Sequence, residues 1–228
     1  RFASALAERL GIVYEGDAPA TPDFLVVEEA LGAPFTDYRQ VNYERGSAVR
    51  AEGADVLARV GLPYFSRSPE QFYGHRQAPF DRVSDLPAIV QRGRIIYAHA
   101  PLFGAYRKHA VPAYRDLVGR LLERLVPDPL VQTEHLPTTA ELALLRQSGE
   151  GRTILHLIHA VPQRRGPAID IVEDVLPLTD VRVGVRLNPS PTMATLAPSG
   201  DSLPIEVVDG VAWVTVPRVE EHQIVAFA

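Results

Sequence analysis

The sequence contains no cysteine. This absence excludes a disulfide scaffold, a thiol nucleophile and a thiolate metal site. The formal net charge is -5 at pH 7, so the chain has no general electrostatic attraction for nucleic acid or for anionic membranes. Its apolar runs are short and interrupted, and none reaches the length that spans a bilayer. We therefore expect neither a nucleic-acid partner nor a membrane segment.

Catalytic signatures are also missing from the sequence. It has no Gly-x-Ser-x-Gly nucleophile elbow, no Gly-x-Gly-x-x-Gly and no Walker loop. Adjacent carboxylates occur at Glu28-Glu29, Glu173-Asp174 and Glu220-Glu221, where they are more typical of solvated turns than of a glycosidase acid and nucleophile. The residues therefore indicate no catalytic group, no metal and no cofactor.

Residues 1–128 predict a mixed α/β domain. The segment "GRIIYAHAPLFGAY" is typical of a short buried strand that runs into a loop, and "YRDLVGRLLERLV" has leucines spaced along one helical face. A strand, a loop and a helix packed back on the sheet form the unit of a doubly wound fold. Hairpin-like phrases around Gly46 and Gly53 indicate a partly mixed sheet.

Residues 129–228 predict a small all-β sandwich. Several short strands follow the "PDP" segment, among them "VRVGVRL", which alternates apolar and polar residues. Asp209-Gly210 lies between two alternating runs and is the strongest short hairpin signal of the chain.

Three histidines are candidate metal or ligand-binding residues. His156 and His159 lie three residues apart in "HLIH", a spacing that places them on opposite faces of a strand, so they should not chelate one ion. His99 follows a buried strand, where α/β folds place binding groups, although a packed histidine is the favoured interpretation. A metal-dependent hydrolase built on these histidines is an alternative that would require stoichiometric metal.

Residues 63–80 form a proline-rich loop with five aromatic rings. One hypothesis is a sugar site, in which Phe72 and Tyr73 stack on a sugar ring while His75 and Arg76 hydrogen-bond its hydroxyls. The alternative is a loop whose rings pack against its own domain or a neighbouring one.

The order of several phrases resembles a group of bacterial glycoside hydrolases. These phrases are "GADVLARVGLPYFSRSPEQFYGHRQAP", "GRIIYAHAPLFGAYRKHAVPAYRDLVGRLLERLVPDPLV", "GRTILHLIHAVPQRR", "IVEDVLPLTDVRVGVRL" and "HQIVAFA". From about Leu10 onward the chain resembles the C-terminal half of enzymes related to the α-L-fucosidases of glycoside hydrolase family 151. The resemblance to the β-galactosidases of family 42 is more distant.

The resemblance implies a catalytic (β/α)8 barrel, which this chain is too short to contain, followed by a flavodoxin-like trimerisation domain (1–128) and a β-sandwich (129–228). It implies a non-catalytic region, a dimer or trimer, and a carbohydrate ligand at the rim of the barrel. The family segment that matches "FYGHRQAP" carries a histidine, which corresponds to His75.

Because the chain opens inside a helical phrase without a methionine, we expect it to be a piece of a longer chain, with a cytoplasmic location favoured and export left open. A free-standing carbohydrate-binding or sensor module is the alternative to an accessory region, and it predicts sugar binding by the isolated chain.

Overall fold

The computed structural model describes residues 4–32, 39–72 and 74–228. Residue contacts divide the chain into two units, Arg1–Pro127 and Asp128–Ala228. Of the described residues, 48% lie in strands and 16% in helices. The protein is therefore mostly β, and each unit is built around its own sheets.

Besides a short 3₁₀ helix (Glu29–Leu31), the first unit contains three α-helices and seven strands among its described residues. In chain order they are α1 (Ser4–Leu10), β1 (Ile12–Asp17), β2 (Asp23–Val27), β3 (Arg39–Asn42), β4 (Ser47–Ala51), β5 (Asp55–Pro63), β6 (Phe80–Arg92), β7 (Ile95–Ala98), α2 (Leu102–His109) and α3 (Pro112–Leu125).

An antiparallel sheet with the strand order β3-β2-β5-β6-β7 forms the centre of this unit, and β1 pairs antiparallel with β4. Helices α2 and α3 pack on the large sheet. They bury Leu102 and Leu117 in one cluster with sheet residues such as Leu25 and Ile89. Pro112 opens α3, where its missing N–H costs nothing. One continuous apolar core therefore holds the helices on the sheet.

The expectation of a flavodoxin-like α/β domain is wrong. Strand β7 pairs antiparallel with β6 across the two-residue turn Gly93-Arg94, with Arg92 opposite Ile95. A doubly wound fold requires parallel strands joined by helical crossovers, and every strand pair among the described residues of this unit is antiparallel. The helices after β7 therefore cover the sheet without leading to a parallel strand.

The second unit contains eleven strands. They are β8 (Val131–Glu134), β9 (Ala140–Gln147), β10 (Arg152–His159), β11 (Gln163–Gly166), β12 (Ile169–Ile171), β13 (Leu178–Val185), β14 (Ala194–Ala197), β15 (Ser202–Leu203), β16 (Glu206–Val208), β17 (Val211–Val219) and β18 (His222–Phe227).

Two antiparallel sheets of this unit, with the orders β15-β14-β18-β10-β9 and β16-β17-β13-β8, face each other. Leu155 and Phe227 of the first sheet share one core with Val183 and Val214 of the second. Val181 and Val183 lie two residues apart in β13 and are both buried in this core, so they mark the face that this strand turns inward. Strands β11 and β12 form a separate hairpin.

A search of the described parts of both units for a long apolar helix was negative, so none of the helices there could cross a membrane.

Candidate functional site

The loop between β5 and β6, residues 64–79, is the segment that the sequence singles out, and we call it the aromatic loop. Its base is closed by a hydrogen bond from the Tyr64 amide to the Pro79 carbonyl, at 3.1 Å. Near its tip the Ser68 hydroxyl accepts hydrogen bonds from the amides of Glu70 (3.2 Å) and Gln71 (3.1 Å). A serine turn of this kind shapes the backbone locally.

Two aromatic rings of this loop project from the surface. The side chains of Tyr64 and Phe72 are 68% and 74% exposed. His75 and Arg76 are exposed as well, whereas Tyr73 lies outside the described residues. The interpretation in which the rings bury against their own unit therefore does not hold for Tyr64 and Phe72. Exposed rings of this size offer flat apolar faces to a ligand or to another protein surface.

Tyr43, just after β3, anchors the returning arm of the aromatic loop. Its hydroxyl donates a hydrogen bond to Oε1 of Gln77, at 2.9 Å. The guanidinium carbon of Arg76 lies 5.0 Å from the centroid of the Tyr43 ring, within the range of a cation–π interaction. Of the predicted site residues, Arg76 thus contacts a residue that directly follows a strand of the large sheet.

A carboxylate that contacts both a lysine and a histidine adjoins Tyr43. Glu44 lies 2.8 Å from Nζ of Lys108 and 2.7 Å from Nε2 of His109, and the His109 ring lies 5.3 Å from that of Tyr43. The hydrogen bond from Lys108, followed by that from His109, holds the pKa of Glu44 below its usual value. Lys108 and His109 are the last two residues of α2, which Ala110 follows in a left-handed conformation, and the positive charge of Lys108 complements the helix dipole there.

A buried polar cluster lies at the inner side of this segment. Asn42 donates from Nδ2 to Oδ1 of Asp23 and to the carbonyl of Glu44, both at 2.8 Å. The second carboxyl oxygen of Asp23 is 3.9 Å from Nδ1 of His99, and neither side chain is exposed. A Cβ on Gly46 would lie 2.3 Å from that ring nitrogen. Only glycine therefore allows the chain to pass so close to His99.

Burial opposes charge on both titratable members of this cluster. It raises the pKa of Asp23 to about 7 and lowers the pKa of His99 to about 4. Between these values both groups are mainly neutral, so they do not form a salt bridge there despite their proximity. The favoured expectation of a packed histidine at position 99 agrees with this burial.

The histidines of "HLIH" separate as the strand alternation predicts. His159 is buried, and its Nε2 lies 3.0 Å from Oγ1 of Thr139. His156 instead meets His222 of the last strand, with Nδ1 and Nε2 2.9 Å apart. Within the described ranges, no group of three or more histidine, aspartate or glutamate side chains could hold a metal ion.

Sequence reasoning missed Tyr43, Glu44, Lys108 and His109. Glu44 and His109 are 65 residues apart in the chain, and nothing in the local pattern of either segment points to the other. The one available signal was the run of basic residues Arg107, Lys108 and His109, which indicates a helix C-terminus but not its partner.

Comparison with solved structures gives strong similarity to one part of a glycoside hydrolase. Alpha-L-fucosidase isoenzyme 2 from Paenibacillus thiaminolyticus matches 96% of this chain at 29% identity with a TM-score of 0.88, and the match covers 33% of that chain. A β-galactosidase from Bacillus circulans sp. alkalophilus matches at 15% identity and a GH42 β-galactosidase from G. stearothermophilus at 11%, both with TM-scores of 0.50. These two matches cover 100% and 99% of this chain, and 26% and 24% of the enzymes.

The resemblance expected from the sequence is confirmed. The chain resembles a region of glycoside hydrolases, an α-L-fucosidase and, in fold alone, β-galactosidases. It spans about a third of the fucosidase chain and about a quarter of the galactosidase chains. No family model and no curated protein matches it.

Proposed function

We propose that this chain is a non-catalytic region of a glycoside hydrolase of the α-L-fucosidase kind. The observation that carries the proposal is the likeness over 96% of this chain to only 33% of the fucosidase chain. Because its structure is so similar to one third of that enzyme, we expect the chain to be the corresponding part of a similar multidomain enzyme. The catalytic carboxylates would then belong to a barrel domain outside these 228 residues.

The aromatic loop is proposed to border the sugar-binding site of that enzyme. The exposed ring of Phe72 can stack on the apolar face of a sugar, and His75 and Arg76 can hydrogen-bond its hydroxyls. The sequence also predicts Tyr73 as a stacking residue, and Tyr73 lies outside the described residues. The contacts of Arg76 and Gln77 with Tyr43 support this role, because a loop fixed at one arm loses less entropy when it meets a ligand.

A second proposed role is assembly, with another copy of the chain in a dimer or trimer or with the catalytic domain. Phe103 and Tyr106 lie three residues apart on α2 and are 74% and 39% exposed. Leu122 and Val126 are exposed at the end of α3. Apolar side chains that share a helix face without joining the core support a docking role for these helices.

The mass of the native polypeptide tests the accessory role. An antibody raised against the 25.0 kDa chain should detect, in the source cells, a product larger by at least the roughly 200 residues of a barrel. A native product of about 25 kDa would contradict the proposal.

Mutation in the full-length enzyme tests the role of the loop. We expect His75→Ala to lower kcat/KM for the preferred glycoside by about tenfold, the usual effect of losing a hydrogen bond of about 1.4 kcal/mol. Gln71→Ala, on the same exposed loop, is the matched control. Unchanged kcat/KM in His75→Ala would remove His75 from the site while leaving the accessory role intact.

One observation favours a second candidate, a free-standing carbohydrate-binding module. The rings of Tyr64 and Phe72 are both exposed on one loop, as expected for an autonomous stacking platform. This candidate predicts that fucose or galactose shifts the NMR signals of the aromatic loop in the isolated chain. The accessory role predicts little or no such binding.

A further inference from the structure

The second unit contains a pair of histidines that no part of the proposed function uses. His156 lies in the middle of β10, and His222 is the first residue of β18, the strand next to it. In the antiparallel register His156 is opposite Ile224 and His222 is opposite Ile158, so the two histidines are diagonal neighbours on one face. Diagonal neighbours are within reach of aromatic side chains.

This face is the outer face of its sheet. Leu155 and Leu157, which flank His156, point inward and are buried in the core, so His156 points the opposite way. His222 is exposed. The imidazole edges are therefore within reach of solvent.

We propose that His156 and His222 form a binding site for a divalent late transition metal, of the class of Cu²⁺ or Ni²⁺. Nδ1 of His156 and Nε2 of His222 are 2.9 Å apart, and the rings are inclined by only 13° with centroids 5.1 Å apart. Two nitrogens bound to one metal at about 2.05 Å and about 90° would also lie about 2.9 Å apart. The centroid distance nearly equals the nitrogen separation plus two ring radii of about 1.1 Å, so the two nitrogens point at each other as in an N–H···N hydrogen bond. Each ring must turn by roughly 45° from this arrangement to direct both lone pairs to one metal ion.

The donor set selects the metal class. Two imidazoles suit copper, nickel and zinc, and the affinity of nitrogen sites rises toward Cu²⁺. Two nitrogens held 2.9 Å apart would bind one ion with an N–metal–N angle of about 90°, which suits the tetragonal geometry of Cu²⁺ and Ni²⁺ better than tetrahedral Zn²⁺. No third histidine, aspartate or glutamate joins the pair among the described residues, so water would complete the coordination.

A metal ion bound to both histidines would link the neighbouring strands β10 and β18. β18 pairs with both β10 and β14, so it is an inner strand of its sheet and one that the core depends on through Val225 and Phe227. A ligand that binds only the folded arrangement of two strands raises stability by mass action. The metal should therefore raise the unfolding midpoint of this unit.

Titration of the whole chain with Cu²⁺ and with Ni²⁺ tests the proposal. We expect one ion per chain, and we expect the EPR spectrum of the Cu²⁺ form to show coupling to two nitrogens. His222→Gln and His156→Gln should each weaken binding by about tenfold or more, because a single imidazole lacks the effective concentration of the second. His135→Asn removes an exposed histidine of the same unit, at φ 55°, where asparagine is tolerated, and should leave binding unchanged.

Because His222 is exposed, its variant should fold even if the His156 variant does not. Coupling to two nitrogens that His222→Gln abolishes, together with a metal-dependent rise in the unfolding midpoint, would support the site. Absence of binding, or binding equal in His222→Gln and the wild-type chain, would overturn it and leave the two rings as a hydrogen-bonded pair only.

Discussion

Replacement of Asp23 by asparagine should change how stability depends on pH. The carboxyl is fully buried and hydrogen-bonded by Asn42, and its pKa is raised from 3.8 to about 7 because burial opposes its charge. A raised pKa means that the folded state holds its proton more tightly than the unfolded state. The contribution of Asp23 to stability is therefore full below about pH 4 and is lost as the pH rises through about 7.

His99 makes stability depend on pH in the opposite direction to Asp23. Burial lowers its pKa from 6.5 to about 4, so its contribution is full above about pH 6.5 and is lost as the pH falls through about 4. Between these values the two groups nearly cancel in the wild-type chain. In Asp23→Asn the effect of His99 would be unopposed, and the variant should lose stability in acid where the wild type does not.

The difference in unfolding free energy between Asp23→Asn and wild type isolates Asp23 from all other groups. One pKa unit corresponds to about 1.4 kcal/mol, so this difference should shift in favour of the variant by about 1.4 kcal/mol per pH unit between about pH 4 and 7. The total change should approach about 4 kcal/mol and then level off. The amide has nearly the shape of the carboxyl and keeps the acceptor for Asn42.

Hydrogen exchange of the buried β5 amides, corrected for intrinsic exchange rates, measures this difference in the unit that contains Asp23. The only tryptophan, Trp213, lies in the other unit, so its fluorescence is the wrong probe. Asp55→Asn is the matched control, since Asp55 is exposed at the start of β5. A difference that stays constant from pH 4 to 8 would refute the reasoning, because it would mean that the Asp23 carboxylate is hydrated in the folded chain.

Two other predictions concern packing and the aromatic loop. Gly184→Ala should destabilise the second unit by about 1–3 kcal/mol, because the new Cβ would lie 2.6 Å from Cγ1 of Val211 and 2.7 Å from Cδ2 of Trp213; urea unfolding followed by tryptophan fluorescence measures the loss. Tyr43→Phe should speed amide exchange in residues 74–78 by about fivefold, since it removes the hydrogen bond to Gln77, worth about 1 kcal/mol.

Controls distinguish these effects from general damage. At Gly149 no described heavy atom lies within 4 Å of an added Cβ, so Gly149→Ala should leave the unfolding midpoint nearly unchanged. If Gly184→Ala had the same unfolding midpoint as the wild-type chain, Trp213 would have moved away from the new Cβ without a loss of stability. Tyr64→Phe removes a hydroxyl from the exposed part of the aromatic loop and is the control for Tyr43→Phe. If the two variants had equal amide exchange rates, the hydrogen bond from Tyr43 would not anchor the loop.

Much of the second unit could be predicted from its sequence, because its signals are local. The turn at Asp209-Gly210 has positive φ at both residues, 50° and 75°, and Val208 pairs with Val211 across it, as the dipeptide predicts. The alternation in β13 likewise gives the face that enters the core. The resemblance to glycoside hydrolases also rested on the sequence, through the order of its phrases.

The first unit shows where local signals mislead. A strand followed by a helix has the same local pattern whether the helix crosses to a parallel strand or only covers the sheet. The sequence of β7 and of the helices after it therefore led to the wrong prediction of a flavodoxin-like fold. Strand β6 was missed because its pairing with β5 shifts register at several points, and such bulges break the period of two on which strand prediction depends.

The sequence alone therefore determined the hairpin turn, the alternating strands, the helix face of Leu117 and Leu121, and the aromatic loop as the segment to examine. The tertiary structure decided the direction in which β7 pairs, the burial of Asp23 beside His99, the contact of Glu44 with His109, and the meeting of His156 with His222. The reason is the range of the forces involved. Periodicity and turn preference act between near neighbours in the chain, whereas strand pairing, desolvation and ring contacts join residues that only the folded chain brings together.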